Sequence, residues 1–248
     1  MPERFFPTIT QSSLPQLTTE QMREVNRAMV EDLGVDLIQM MENAGRHLAQ
    51  LARVRFLDGD ASGKRLVVLS GTGGNGGGAL VCARHLHNAG ALVHVVTARP
   101  AEAFAGVPAR QLGILARMGL PLIHAQPPDG PADLILDGLI GYSLQGPPRG
   151  TAAELIRWAN RQPAPRLALD VPSGLDATAG TAFDPTVQAT ATLTLALPKQ
   201  GFSAPAAAPY VGKLYLADIG VPHQLYAKAL GLEVGPLFAE GPILHLQL

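Results

Sequence analysis

Short apolar segments alternate with helical segments along most of this chain. The apolar segments occupy residues 65–69, 92–96, 122–124, 134–137, 166–170 and 191–197. Helical stretches separate most of them, for example at 78–89, 109–118 and 151–160. Strands that are apolar almost throughout and are separated by helices indicate a parallel sheet covered on both faces. We therefore predict an α/β fold built on such a sheet.

Two helices are predicted before the first strand. Thr18 and Gln21 have the spacing of a capping box, in which the two side chains satisfy free backbone N–H groups at a helix start. Apolar residues then recur at helical spacing as far as Gly34, and a second helix is predicted from about Asp36 to Phe56. Thr151 and Glu154 indicate a second capping box.

The ends of the chain lack this periodicity. We interpret residues 1–16 as an N-terminal arm, residues 17–222 as one domain and residues 223–248 as a C-terminal tail, with the last 20 or so residues loosely attached. The segment at 213–220 is interpreted as an edge strand.

Composition excludes several classes of protein. With 19 Lys and Arg against 20 Asp and Glu, the net charge is −1, which provides no cationic excess to bind nucleic acid or an anionic membrane. One cysteine rules out a disulfide framework and fits a reducing compartment. We find neither a signal-peptide pattern nor an apolar run near the ~18 residues of a membrane span. We therefore expect a cytoplasmic protein that binds neither membranes nor nucleic acid.

A glycine-rich loop, GTGGNGGGA at 71–79, follows the first strand and opens a helix. Glycines allow close backbone approach, and a helix N-terminus attracts an anion, so a phosphate or nucleotide site is indicated. The alternative is a tight turn without a ligand. Gly71, Gly73 and Gly76 match the dinucleotide fingerprint, but Arg99 follows the next strand, where that fingerprint expects an acid. A P-loop is excluded because the loop lacks its Lys.

Two acidic residues, Asp137 and Asp170, end strands that are followed by turn-forming loops. Ligands of parallel sheets bind beyond the carboxyl ends of strands, so loops 71–79, 137–149 and 170–176 should converge on one site. Asn75, Asp137 and Ser173 would offer oxygen ligands for K⁺, Na⁺ or a divalent cation. Lys199 is either a phosphate contact or a solvated loop lysine.

Several motifs, in a fixed order, resemble the YjeF N-terminal domain family, the NAD(P)H-hydrate epimerases. They are MMENAG at 40–45, the glycine loop with LVCARHL, DGLIG at 137–141, DVPSGLD at 170–176, ALPKQG at 196–201 and ADIGVP at 217–222. The resemblance implies a Rossmann-like three-layer αβα sandwich with an N-terminal helix pair. It also implies a homodimer, with the N-terminal helices at its interface.

The activity implied is interconversion of the R and S forms of NAD(P)H hydrated at nicotinamide C6 (NADHX and NADPHX). The resemblance further implies one K⁺ per subunit, held by Asn75, Asp137 and Ser173. A separate dehydratase would act on the product, since the family's dehydratase domain is expected to be absent here.

Site residues follow position by position from the same resemblance. Asp170 would contact the hydrated nicotinamide, and we predict it as the general acid/base. Substrate binding is predicted for Gly74, Asn75, Gly76, Gly77 and Gly78 and for Gly141, Tyr142, Ser143, Leu144, Gln145, Gly146 and Pro147, together with Asp170 and Lys199. The second loop would surround the pyrophosphate.

The chain also departs from the family pattern. Gly74, Gly78 and Ala79 replace the first Asn, the Asp and the last Gly of the family's NNGGDG loop. Tyr142 stands where the family usually has Thr, and Asn26 where it usually has an acid. The alternative to an active epimerase is therefore a catalytically degenerate nucleotide-binding or regulatory relative.

Overall fold

A computed structural model describes residues 6–247 of the chain. Within that range nine strands form one sheet: β1 (Thr8–Thr10), β2 (Arg65–Ser70), β3 (Leu92–Thr97), β4 (Leu122–His124), β5 (Leu134–Gly138), β6 (Arg166–Leu169), β7 (Ala191–Leu195), β8 (Lys213–Ala217) and β9 (Ile243–Gln247). Their order is β1-β9-β8-β7-β6-β5-β2-β3-β4. Every neighbouring pair is parallel except β8 with β9.

Seven α-helices accompany these strands: α1 (Thr19–Arg27), α2 (Leu37–Phe56), α3 (Gly74–Asn88), α4 (Gly106–Arg117), α5 (Gly150–Arg161), α6 (Ala208–Val211) and α7 (His223–Leu230). Alternate strand residues face opposite layers. Val68 belongs to a core formed with α2, α3 and α4, whereas Val67 packs with α5. These layers confirm the predicted αβα sandwich. Across residues 6–247, every helix is too short or too polar to cross a bilayer.

The N-terminal helix pair forms as predicted. Gln21 donates its backbone N–H to Thr18 Oγ1 at 3.1 Å, and its side-chain oxygen accepts from the Thr18 N–H at 2.9 Å, which confirms the first capping box. A π-helical turn, Ala28–Asp32, extends α1 before Gly34 takes a positive φ of 72°. The second predicted capping box is wrong. Since α5 begins at Gly150, its N-cap is Arg149, which makes no side-chain cap.

The predicted loose attachment of the C-terminal segment is wrong. Ile243, Leu244 and Leu246 are at most 3% exposed, because β9 lies on the sheet beside β8. Helix α7 buries Leu225 and Tyr226 against α1 and the loop after β8.

The predicted edge position of β8 is also wrong, since β8 lies between β7 and β9. The edge is instead formed by β1, which pairs in parallel with β9. Both ends of the described chain therefore join the sheet of the predicted domain.

Candidate active site

A cavity of about 700 Å³ opens at the carboxyl ends of β2, β5 and β6. Residues 72–75 of the glycine loop, 139–143 of the loop after β5, and Asp170 line it. Met22 of α1 and Met40 of α2 provide apolar walls. The structure thus brings together the strand ends at which parallel sheets bind ligands.

Asp137 and Ser173 meet beside this cavity. The Ser173 hydroxyl donates to Asp137 Oδ1 at 2.6 Å, and the Ser173 N–H donates to Oδ2 at 2.8 Å. Leu139 N–H also donates to Oδ1 at 3.2 Å. Burial raises the pKa of the Asp137 carboxyl, and these hydrogen bonds oppose that shift. The loop after β5 is therefore fastened to the DVPSGLD loop.

Asn75, the third predicted ion ligand, lies next to this pair. Its amide nitrogen donates to the Leu169 carbonyl at 2.6 Å and lies 3.4 Å from the Ile140 carbonyl oxygen. Ser173 Oγ lies 3.1 Å from the same Ile140 oxygen, so that carbonyl stands between the two side chains. A Cβ at Gly141 would lie 2.6 Å from Asn75 Oδ1, so close approach requires glycine there.

Asp170 directly follows β6 and has a positive φ of 62°, a conformation that Asp tolerates better than most residues. Its Oδ1 is 2.6 Å from Lys199 Nζ and 3.2 Å from the donating Leu195 N–H. Thr194 Oγ1 also lies 3.3 Å from Oδ1. Within residues 6–247, no donor is placed on Oδ2. The arrangement leaves this oxygen available to a ligand in the cavity that Asp170 lines.

Lys199 is fully buried, which contradicts both interpretations of it, as a phosphate contact and as a solvated lysine. Besides Asp170, its ammonium contacts Thr194 Oγ1 at 3.0 Å and the carbonyls of Leu195 and Leu197 at 3.0 and 3.2 Å. These acceptors account for all three protons of the ammonium. Lys199 therefore fixes the Asp170 carboxylate through Oδ1, the oxygen that is not available to a ligand.

The glycine loop is divided between ligand-facing and packing residues. Helix α3 starts at Gly74, four residues before the predicted start, so the later glycines lie inside its first turns. A Cβ at Gly76 would overlap the Gly71 carbonyl, and one at Gly77 the Met41 thioether. At Gly78 it would lie 2.7 Å from the Leu169 side chain.

These three glycines are buried, pack α3 against the protein and do not line the cavity, so the structure gives no support to their predicted substrate contact. Gly74 and Asn75 do line the cavity. A Cβ at Gly74 would meet nothing within 4 Å.

The second predicted loop borders two cavities. Gly141, Tyr142 and Ser143 line the first. Leu144, Gln145, Gly146 and Pro147 line an adjoining cavity of about 620 Å³, which shares Thr72, Leu139 and Ile140 with the first. Arg99 and Arg149 line this second cavity. The two cavities therefore adjoin, with Asp170 lining the first and Arg99 and Arg149 lining the second.

The sequence did not predict the contact between Asn26 of α1 and Tyr142. The Asn26 amide nitrogen donates to the Tyr142 hydroxyl oxygen at 2.7 Å. Thr19 Oγ1 donates to the Tyr142 carbonyl at 3.1 Å, so two residues of α1 hold this tyrosine. Burial raises the pKa of the Tyr142 hydroxyl, and the negative charge of Asp170 adds to the shift, while the Asn26 hydrogen bond opposes it.

Comparison with known proteins places these features in context. Residues 37–201 match the family model described as "YjeF-related protein N-terminus". An NAD(P)H-hydrate epimerase of Dehalogenimonas lykanthroporepellens is 43% identical over 90% of this chain and 89% of its own length. A bifunctional NAD(P)H-hydrate repair enzyme of Moorella thermoacetica is 37% identical, and the match covers 85% of this chain but only 41% of that enzyme. A yeast crystal structure superimposes with a TM-score of 0.78 and 24% identity, covering 94% of this chain and all of the other.

Proposed function

Because this chain belongs to the family of YjeF-related protein N-termini, we propose that it interconverts the R and S forms of NADHX and NADPHX. The observation that carries this proposal is Asp170. Its carboxylate stands at a strand end in a large cavity, with one oxygen held by Lys199 and the other available to a ligand. A carboxylate so placed suits proton transfer to and from a substrate hydroxyl.

The hydrated nicotinamide carries its C6 hydroxyl beside the ring nitrogen, as a hemiaminal does. We propose that Asp170 takes the hydroxyl proton while the C6–N1 bond opens, with its electron pair left on nitrogen. Rotation and closure on the other face, with the proton returned by Asp170, give the epimer. Lys199 keeps the carboxylate in place and is not a ligand of the substrate.

We assign the rest of the nucleotide from the residues that line the two cavities. The nicotinamide end would lie against Asp170, with Met22 and Met40 as apolar walls. The pyrophosphate would follow the second loop through Gly146 and Pro147, and the adenosine end would enter the cavity lined by Arg99 and Arg149. Free backbone N–H groups at the start of α3 favour bound anions.

The substitution at position 78 is compatible with an active enzyme. Position 78, where the family usually has Asp, packs against Leu169 and does not line the cavity. The missing carboxylate therefore removes nothing from the space assigned to the nicotinamide.

We propose that Asn75, Asp137 and Ser173 hold a monovalent cation. The amide nitrogen of Asn75 and the hydroxyl of Ser173 lie at the Ile140 carbonyl, and Ser173 also contacts Asp137. The side-chain oxygens of these three residues are hard ligands, which suit K⁺ and not soft metals. A bound K⁺ would supply positive charge between the two loops that surround the substrate.

We predict that K⁺ raises the melting temperature of the protein. At a concentration about ten times the dissociation constant, mass action adds about 1.4 kcal/mol, or roughly 3–6 °C for a chain of this size. Differential scanning fluorimetry would compare K⁺ with tetramethylammonium at equal ionic strength. The difference should disappear in Asp137→Asn and persist in Ser143→Ala, a cavity residue outside the ion cluster. Equal melting temperatures in the two salts would contradict the site.

The function itself is tested with the wild-type protein. We expect it to accelerate R/S interconversion of NADHX and NADPHX above the buffer rate, measured by chromatographic separation of the epimers. Binding of either hydrate without turnover would instead identify a degenerate nucleotide-binding relative. A protein that neither binds the hydrates nor interconverts them would contradict both the epimerase and the degenerate nucleotide-binding relative.

The resemblance also predicts the partners of the protein, and the composition predicts its location. The homodimer stays a prediction: Leu33, at the junction of the N-terminal helices, is 46% exposed, whereas the exposed Val30 and Leu37 beside it also line the cavity. The bifunctional NAD(P)H-hydrate repair enzyme fits a second repair activity as partner, which we propose is the dehydratase that the resemblance implies. The cytoplasmic location stays a prediction.

A further inference from the structure

The hydroxyl proton of Tyr142 has no acceptor among the described residues. The hydroxyl oxygen already accepts from the Asn26 amide nitrogen at 2.7 Å. A phenol has one proton to donate, and no hydrogen bond within residues 6–247 uses it. Tyr142 lines the 700 Å³ cavity together with Asp170, so this free donor shares the space assigned to the nicotinamide.

Resting on the proposed function, we propose that Tyr142 donates a hydrogen bond to the substrate's C6 hydroxyl oxygen and that Asn26 orients it to do so. A hydroxyl both donates and accepts, so it matches a site that offers one of each. Asp170 Oδ2 would accept its proton, and Tyr142 would donate to its oxygen. As Asp170 withdraws the proton, that oxygen becomes more negative and the hydrogen bond from Tyr142 strengthens.

The surroundings of Tyr142 hold it for this role. Its carbonyl accepts from Thr19 Oγ1 at 3.1 Å, and the Thr19 N–H donates in turn to Thr178 Oγ1 at 2.9 Å. The start of α1 thus ties the second loop to the segment after DVPSGLD. Burial and the charge of Asp170 raise the pKa of the phenol, which keeps it a donor at neutral pH.

Asn26 is the positioning residue, and its effect depends on the direction of its hydrogen bond with Tyr142. An amide nitrogen that donates to the phenol oxygen leaves the phenol proton for the cavity. A carboxylate at position 26 would accept that proton and withdraw the donor from the substrate. Asn26→Asp, which preserves size and shape, therefore reverses the hydrogen bond.

The test is a double-mutant cycle with Tyr142→Phe, Asn26→Asp and the pair together. Tyr142→Phe keeps the ring, so a packing role would leave activity unchanged. We expect it to lower kcat/KM about tenfold and to raise the dissociation constant of NADPHX about threefold, the rest of the loss being in kcat. Asn26→Asp should cause a similar loss, and in the Tyr142→Phe background it should add nothing. Tyr210→Phe, outside the cavity, is the control and should match wild type.

Each outcome bears on the proposal. Unchanged turnover and affinity in Tyr142→Phe would overturn the role of Tyr142. The proposed function would still stand in that case, provided that the unmutated protein interconverts the hydrates. An Asn26→Asp loss that persists in the Tyr142→Phe background would show that the new charge repels the substrate, and would overturn the role of Asn26. If the wild type binds the hydrates without turnover, the same double-mutant cycle is measured as dissociation constants. An unchanged dissociation constant in Tyr142→Phe would then overturn the proposed hydrogen bond. A protein that binds neither hydrate would overturn this inference together with the proposed function.

Discussion

Asp170→Asn is expected to lower the rate of NAD(P)HX interconversion by a factor of about 10² to 10⁴, the range that positioned general acids and bases contribute. Asn has the size of Asp and also tolerates the left-handed conformation found here, with φ of 62°. The substitution therefore removes the proton acceptor with little change of backbone. Single-turnover rates at saturating substrate would measure the loss without the contribution of binding.

Stability has to be separated from chemistry in this variant. Asp170→Asn leaves the Lys199 ammonium buried without its counter-charge, which is itself destabilising. The double variant Asp170→Asn/Lys199→Met removes both charges. We expect it to recover much of the unfolding free energy and none of the activity.

Activity in a folded double variant would assign the proton transfer to another group. A wild-type rate in the single variant Asp170→Asn would also assign the proton transfer to another group. Loss of activity that tracks loss of folded protein would leave Asp170 with a structural role only.

The central strands could be predicted because burial on both faces leaves a strong sequence pattern. β2, β5 and β6 are almost continuously apolar, and each begins within a residue of its predicted start. The terminal strands leave no such pattern. β1 has three residues, and β9 is separated from the other strands by a long segment. Their pairing depends on contacts between the two ends of the chain, which local propensity does not record.

The acidic side of the site could also be predicted, since strand ends converge in any parallel sheet. Asp137 and Ser173 are predicted to lie together, and their side-chain oxygens are 2.6 Å apart. The role of the loop glycines cannot be read from the sequence in the same way. Glycine permits close approach of a ligand or of another protein segment, and Gly76 to Gly78 serve the second purpose.

The Asn26–Tyr142 contact joins residues that are 116 positions apart, so no spacing rule could reveal it. One signal is present in the sequence. Both positions depart from the family pattern described in the sequence analysis.

Lys199 illustrates the opposite difficulty. Lysine is almost never fully buried unless it is paired, and the partner lies 29 positions away, at the end of the neighbouring strand. Lys199→Met is expected to lower the free energy of unfolding by about 3–5 kcal/mol, because it leaves the Asp170 carboxylate buried and without its counter-charge. Equilibrium unfolding in urea would measure the change.

The matched control is Lys228→Met, which removes the same charge from an exposed position on α7. It should stay within about 0.5 kcal/mol of wild type, as surface substitutions usually do. Methionine fills most of the lysine stem's volume, so a large loss in Lys199→Met reports the charge and not a cavity.

The double variant with Asp170→Asn should be more stable than Lys199→Met alone, since neither charge then remains buried. A loss below about 1 kcal/mol in Lys199→Met would show that Asp170 does not depend on this ammonium. In that case the other donors to Oδ1, the Leu195 N–H and the Thr194 hydroxyl, would be sufficient to hold the carboxylate.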